Sequence, residues 1–204
     1  MKVLSVEQIR QADKYTIIRE PISDEALMER AAGKCADFII GKWSTSHEFY
    51  IFCGPGNNGG DGLVIARLLA QKQYTVFVFR LQSAKYSESY IINLKRLEKQ
   101  DNVKNISINS IDELPQFCEN SVIIDAIFGS GLTKQPESLV AKVISHINQS
   151  PSFVLSIDIP SGLCGDFDQF SNEQGIIKAD LTLTFHSPKK SFFLQENYIY
   201  TGEW

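Results

Sequence analysis

Histidine is scarce in this chain, and cysteine follows no pattern. The 204 residues contain three histidines and four cysteines. Cys35, Cys53, Cys118 and Cys164 form no C-x-x-C pair, and their spacing fits no zinc motif. Cys35 and Cys53 fall within apolar helix and strand patterns and read as buried thiols. His47, His146 and His186 have no ligand spacing to one another, and none pairs with a nucleophile. No G-x-S-x-G elbow and no Walker lysine motif is present. His47 and His146 read as surface residues, whereas His186, after a strand, reads first as a structural residue and second as one within reach of a cleft.

Long apolar runs are missing as well. None approaches the roughly 20 residues needed to span a bilayer. The opening "MKVLSVEQIRQADKY" is charged and lacks the apolar centre of a signal peptide. A reducing cytoplasm is the expected compartment. Basic charge is not in excess: twenty Lys and Arg against twenty-four Asp and Glu leave a net charge of -4. That balance advertises neither nucleic acid nor an anionic membrane as a partner and leaves a small molecule.

What is present is an ordinary globular composition, 43% hydrophobic and 22% charged, sized for one domain over residues 1–204. Ser5 with Gln8 forms a capping box that opens a helix over Val6 to about Arg19. Pro21 breaks it. Ser23 or Asp24 caps a second helix, with Leu27, Ala31 and Cys35 along one stripe and Met28, Ala32 and Ile39 beside it. The chain then alternates. "FYIFC", "YTVFVF", "VKNISI", "SVIIDAIF", "FVLSID" and "ADLTLTF" read as strands, with a last one in "KSFFLQENYIY". "GLVIARLLAQ", "SESYIINLKRLEKQ", "IDELPQFC" and "PESLVAKVISHINQ" read as helices between them. Such alternation predicts a three-layer αβα sandwich, a Rossmann-like and mostly parallel sheet preceded by two helices.

Ligands of open parallel sheets bind beyond the C-terminal strand ends. Three loops leaving such ends are rich in glycine and carry carboxylates: "GPGNNGGDG", "DAIFGSGLTKQP" and "DIPSGLCGD". The first contains a G-x-G-x-x-G fingerprint over Gly54 to Gly59. A plain strand-to-helix turn, with Asp61 as its N-cap, needs one or two glycines, and this loop has five in nine residues. A conventional dinucleotide reading has two weaknesses. The second strand ends in Phe79 and Arg80 where an acid for the ribose belongs, although Arg80 suits a 2'-phosphate. Asp61 at the helix tip is expected to take the free N–H groups and repel a pyrophosphate, so the loop suits a sugar, an amide or a cation.

Asp125 and Asp158 each end an apolar run, which places a carboxylate at a strand mouth where it needs a partner. A single such aspartate commonly caps backbone N–H groups; two on glycine-rich loops favour a site. Asn58, Asp125 and Ser161 together offer hard oxygen ligands with one formal negative charge, which points to a hard, weakly charged cation such as K⁺ and away from zinc, copper or a multi-carboxylate Ca²⁺ site. Lys189 and Lys190 read as a solvated face or as phosphate contacts.

"GPGNNGGDGLVIAR", "IDAIFGSGL", "DIPSGL" and "ADLTLTFHSPKKS", with "MKVLSVEQIRQADKYTI" and "LMERAAG" before them, resemble in order and spacing the motifs of the NAD(P)HX epimerase family, the YjeF N-terminal domain. The resemblance covers nearly the whole chain. It implies an isomerase that interconverts the R and S forms of hydrated NADH and NADPH, which carry a hydroxyl on C6 of the nicotinamide ring. It implies substrate contacts from Asn57, Asn58, Gly59, Gly60 and Asp61, from Gly129, Ser130, Gly131, Leu132, Thr133, Lys134 and Gln135, and from Asp158. It implies K⁺ at Asn58, Asp125 and Ser161, the trio that the oxygen-ligand argument assembles. Asp158, near substrate and not assigned to the cation, is the expected acid–base residue.

Cys164, Ser191 and the segment "FDQFSNEQGIIKAD" depart from the family pattern. Family members in many bacteria are fused to a C-terminal ADP-dependent dehydratase, and "YIYTGEW" stands about where such a domain begins. Folds of this kind pair through exposed helices, so a homodimer is the expected assembly. Two rival readings remain open: an NADP-dependent oxidoreductase with Arg80 on the 2'-phosphate, and a non-catalytic binding module or scaffold.

Overall fold

A computed structural model describes residues 2–132, 134–166 and 175–204. Among the described residues, these α-helices and strands follow one another: α1 Val6–Arg19, α2 Asp24–Lys42, β1 Glu48–Cys53, α3 Asn57–Gln71, β2 Thr75–Leu81, α4 Glu88–Leu97, β3 Val103–Ile108, β4 Ser121–Ala126, α5 Ser138–Asn148, β5 Phe153–Ile157, β6 Leu181–Leu183 and α6 Tyr198–Thr201. The six strands form one sheet in the order β3-β2-β1-β4-β5-β6, and every pairing is parallel. Strand order reverses between β1 and β4, so the crevice for a ligand opens above that pair.

Side chains alternate across the sheet, and each face is apolar. Phe49, Ile51, Val76, Val78, Val122 and Ile124 pack beneath α2, α3 and α4. Tyr50, Phe52, Phe79 and Ile123 face the other way, toward Val143, Ile144 and Ile147 of α5. Burial on both faces explains why the central strands read as unbroken apolar runs. The stripe on α2 is buried through Met28, Ala32, Cys35, Ala36 and Ile39.

Local signals act where the sequence places them. Ser5 accepts from the Gln8 backbone N–H while Gln8 returns a bond to the Ser5 N–H, which completes the capping box of α1. Ser23, rather than Asp24, caps α2. Three expectations fail. "IDELPQFC" supplies only a single 3₁₀ turn, Ile111–Glu113, because Pro115 stops it. "KSFFLQENYIY" is not a strand: it forms 3₁₀ turns at Lys190–Phe193 and Gln195–Asn197 and then α6. Its Phe193, Tyr198 and Ile199 stay exposed, so no sheet edge buries an alternating face there. The third failure lies at α3, which begins at Asn57, five residues before the expected start at Gly62.

Candidate active site

The early start of α3 changes the chemistry of the glycine loop. Gly56 is the N-cap, and no side chain caps the first turn. Asp61 is not the cap that the sequence suggests. It lies in the second turn of α3, 8% exposed, and leaves the first N–H groups free for an anion. Burial, with the charges of Asp158 and Asp13 nearby, pushes the Asp61 carboxyl well above the usual carboxylate range. Among the described residues, no group donates a hydrogen bond to it. Burial disfavours the charged form of Asp61, which weakens the electrostatic objection to a dinucleotide.

The glycines of the loop divide into two roles. A Cβ on Gly59 would lie 1.8 Å from the Gly54 carbonyl oxygen, and one on Gly62 would lie 2.7 Å from Ala126 Cβ. These positions pack the turn against β1 and β4. Gly59 and Gly60 are buried and line neither of the two cavities above the sheet, so they shape the loop from behind.

The smaller of those cavities, about 700 Å³, gathers most of the expected site. Asn57, Asn58 and Asp61 of α3 line it, with Gly129, Ser130, Gly131, Leu132, Lys134 and Gln135 after β4 and Asp158 after β5. Thr133 lies outside the described residues, as does the 167–174 part of the segment that departs from the family pattern. The larger cavity, about 1000 Å³, runs between α1, α2 and the end of β6. The two share Asp13, Asn57, Asp61, Phe185 and His186, so they meet at a waist formed by those side chains.

Asp158 stands at the centre. Its Oδ1 lies 2.7 Å from Lys189 Nζ, and its Oδ2 accepts from the Ser130 backbone N–H at 3.0 Å. Lys189 is neither a solvated residue nor a free phosphate contact. It is 1% exposed and also donates to the carbonyls of Phe185 and Ser187. Lys190 pairs with Asp166 at 3.5 Å. Asp158 has φ +69° and His186 has φ +68°, left-handed conformations that cost a non-glycine residue about 1 kcal/mol or more and cluster at functional sites. A Cβ on Gly129 would lie 3.1 Å from Asp158 Oδ2 and 3.4 Å from Asn58 Cβ, so a side chain there would press on both residues.

The oxygen trio is arranged unevenly. Asp125, fully buried, accepts from Ser161 Oγ at 2.5 Å, from the Ser161 N–H and Ser156 Oγ at 2.8 Å, and from the Ile127 N–H at 3.2 Å. Burial raises its carboxyl above the usual range, and the bonds from Ser161, Ser156 and Ile127 oppose that rise. Ser161 Oγ also accepts from the Phe128 N–H at 2.8 Å, tying the β4 and β5 loops together. Asn58 is different. Its side chain is 6% exposed, and neither amide atom has a hydrogen-bond partner among the described residues. A buried amide left unsatisfied costs about 1–3 kcal/mol, and a bound oxygen-loving cation relieves that cost at Oδ1. No group of three or more His, Cys, Asp or Glu able to hold a metal occurs among the described residues. Asn58 thus keeps an oxygen open to a hard cation, whereas both Asp125 oxygens already accept hydrogen bonds.

Other candidates fall elsewhere. Arg80 Nε donates to Asn105 Oδ1 at 2.6 Å, and Arg80 lines neither cavity. His146, half-buried, bonds the Pro115 carbonyl at 2.9 Å, and His47 sits in a polar turn beside Ser44. Cys35 and Cys53 are buried thiols, and burial pushes Cys35 up to about 12. Sequence patterns did not reveal Arg10 and Asp13 of α1, because both sit on a polar helix face that reads as solvated. Both line the smaller cavity.

The family model described as YjeF-related protein N-terminus matches residues 24–191. A bifunctional NAD(P)H-hydrate repair enzyme of Thermofilum pendens is 36% identical over 99% of this chain, which spans 38% of that relative. The chain likewise spans 39% of the similar bifunctional enzyme of Coxiella burnetii, at 32% identity. An NAD(P)H-hydrate epimerase of Limosilactobacillus fermentum is 30% identical, covering 98% of this chain and 93% of that protein. The crystal structure of yeast ynu0, YNL200c, superposes with a TM-score of 0.80 at 26% identity, covering 97% of this chain and 86% of the yeast chain. This chain belongs to the YjeF-related N-terminus family.

Proposed function

We propose that this protein is an isomerase that interconverts the R and S forms of NADH and NADPH hydrates at C6 of the nicotinamide ring. The observation that carries the reading is the smaller cavity, where three motif loops converge on Asp158, Asp61 and the uncapped start of α3. The names of its relatives, NAD(P)H-hydrate epimerase and bifunctional NAD(P)H-hydrate repair enzyme, support the same substrate class.

The residues suggest a division of labour. The first N–H groups of α3, with Arg10 and Lys134 on the cavity wall, suit the pyrophosphate. C6 of the hydrate bears both ring nitrogen and hydroxyl. Nitrogen can expel the hydroxyl to give a planar centre, or the ring can open to an aldehyde, and return from the other face inverts C6. Either route moves a proton to and from oxygen, which is general acid–base work. Asp158 holds that role in this reading, oriented by Lys189 and the Ser130 N–H.

Asn58, Asp125 and Ser161 are proposed to hold K⁺, a ligand set favoured by the unpartnered Asn58 amide. When bound, K⁺ would supply orientation of substrate and stabilisation of developing oxyanion charge. Two finer points belong to the same reading: a cytoplasmic location, which suits the buried thiols Cys35 and Cys53, and a homodimer, which would give exposed Tyr15 and Ile18 of α1 a partner. Among the described residues, no helix is long and apolar enough to cross a membrane.

The NADP-dependent oxidoreductase is disfavoured by Arg80, held by Asn105 away from both cavities. A scaffold has no use for a buried ion pair and an unsatisfied carboxyl facing one cavity. The test is to mix the protein with one epimer of NADHX and follow the other by chromatography. Rapid conversion, without net oxidation of NADPH, is expected.

A further inference from the structure

Epimerisation imposes a geometric demand on the site. By the route in which nitrogen expels the hydroxyl, oxygen leaves C6 on one face and bonds to it on the other, so groups that handle protons are needed on both sides of the ring. The motif residues supply one side only. Asp158 belongs to the loop after β5, and Asp61 to α3, both at the strand ends. A separate element, α1, lines the same cavity through Ile9, Arg10 and Asp13. Helix α1 straddles the loop tips: the Val6 N–H donates to Asp166, and a Cβ on Gly131 would lie 3.1 Å from Arg10 Nη2.

Resting on the epimerase reading above, we propose that Asp13 is the catalytic carboxyl of the second wall, paired across the ring with Asp158. Asp13 lies outside the 24–191 stretch matched by the family model. It stands at the waist shared by both cavities, and its side chain makes no hydrogen bond or ion pair with any described residue. A carboxyl free on the cavity wall is available to substrate.

The charged groups around it set its proton affinity. Partial burial in the cavity wall raises the Asp13 carboxyl above the usual range; His186 opposes this, Asp158 adds to it, Lys189 opposes it and Asp24 adds to it. Asp61 shares the waist, and Arg10 lies one helical turn away on α1. Asp13 is also exposed, so it exchanges protons with solvent directly.

The Asp13 O–H gives its proton to the C6 hydroxyl oxygen. The C6–O bond breaks, its electron pair leaves with water, and the N1 lone pair forms the C6=N1 bond. A water on the far face then bonds to C6, the C6=N1 pair returns to N1, and the water's proton passes to the Asp158 carboxylate. Asp13 regains a proton from solvent and Asp158 releases one. In the reverse direction the two carboxyls exchange roles.

The experiment compares wild type, Asp13→Asn and Asp13→Glu in R-to-S conversion of NADHX from pH 5 to 9, with melting temperature as a check of folding. Asp13→Asn is expected to lower kcat on the order of 100-fold or more, with KM within about threefold. The fall of kcat as pH rises through the Asp13 titration should vanish in Asp13→Asn, and Asp13→Glu should restore part of kcat. Wild-type kcat in Asp13→Asn, a change confined to KM, or an unchanged pH profile overturns the proposal while leaving the epimerase reading in place. An inactive wild-type protein overturns both.

Discussion

Lys189 Nζ lies 2.7 Å from Asp158 Oδ1, and the lysine side chain has no exposure to solvent. Two residues 31 apart in sequence thus form one ionic unit, held by the Phe185 carbonyl on one side and the Ser130 N–H on the other. The carboxylate faces the cavity while the ammonium sits behind it.

Removing one partner of such a pair strands the other. Lys189→Met should destabilise the protein by about 3–5 kcal/mol, because among the described residues Asp158 then keeps only the Ser130 N–H. Asp158→Asn should cost less, because the ammonium retains the carbonyls of Phe185 and Ser187. Urea unfolding of both variants measures the difference. The same Asp158→Asn protein, folded, should lose epimer exchange; near wild-type exchange would remove Asp158 from the mechanism.

Asn58 predicts how stability responds to salt. K⁺ should raise the melting temperature more than Li⁺ at equal ionic strength, by mass action on the folded state. Asn58→Ala should abolish that difference while costing little in K⁺-free buffer, since the amide has no partner to lose. Asp125→Asn should also abolish it, but at a cost, since that carboxylate accepts four hydrogen bonds. An equal response to the two ions in wild type contradicts the cation site.

Asp61 trades stability for its position. Its carboxyl titrates higher in the folded chain than in the unfolded one, so the folded state binds the extra proton. The stability this contributes is complete below the ordinary carboxylate value and is lost as pH rises through the raised one. Asp61→Asn should therefore be more stable than wild type by about 1 kcal/mol at pH 8 and not at pH 4, while losing activity. Thermal melts at the two pH values provide the comparison.

Gly59→Ala tests the turn itself. The added Cβ would meet the Gly54 carbonyl oxygen at 1.8 Å, a backbone atom that no side-chain rotation can move aside. The expected cost is about 3 kcal/mol, the upper end for overpacking, with loss of substrate binding. Gly56→Ala, where nothing lies within 4 Å, should be mild by comparison.

Much of this protein is legible in its sequence because both faces of the sheet are apolar. Unbroken runs such as "SVIIDAIF" mark central strands, and the ends of those runs mark the site, which is how Asp125 and Asp158 stand out. Serine caps and the capping box of α1 are local and could be read directly. The start of α3 was hidden because four glycines and two asparagines near it have low helix propensity, and packing against β1 and β4 overrides that. The C-terminal segment carries strand-forming aromatics, yet those packing near Trp204 do so from short turns. Lys189 looked solvated beside Lys190, since no local pattern announces a partner 31 residues earlier. Asp13 belongs to a polar helix whose only buried residue is Ile9, and only the tertiary fold turns that face toward the loops.

The central claim is that the cavity holds a damaged cofactor as substrate and inverts it at C6. The most direct measurement starts from each pure epimer of NADHX in K⁺ buffer and follows the approach to equilibrium. The account predicts one final ratio from both directions, reached at a rate proportional to protein concentration and sharply reduced in Asp158→Asn. Rates equal to those in buffer alone, from either epimer, would contradict it.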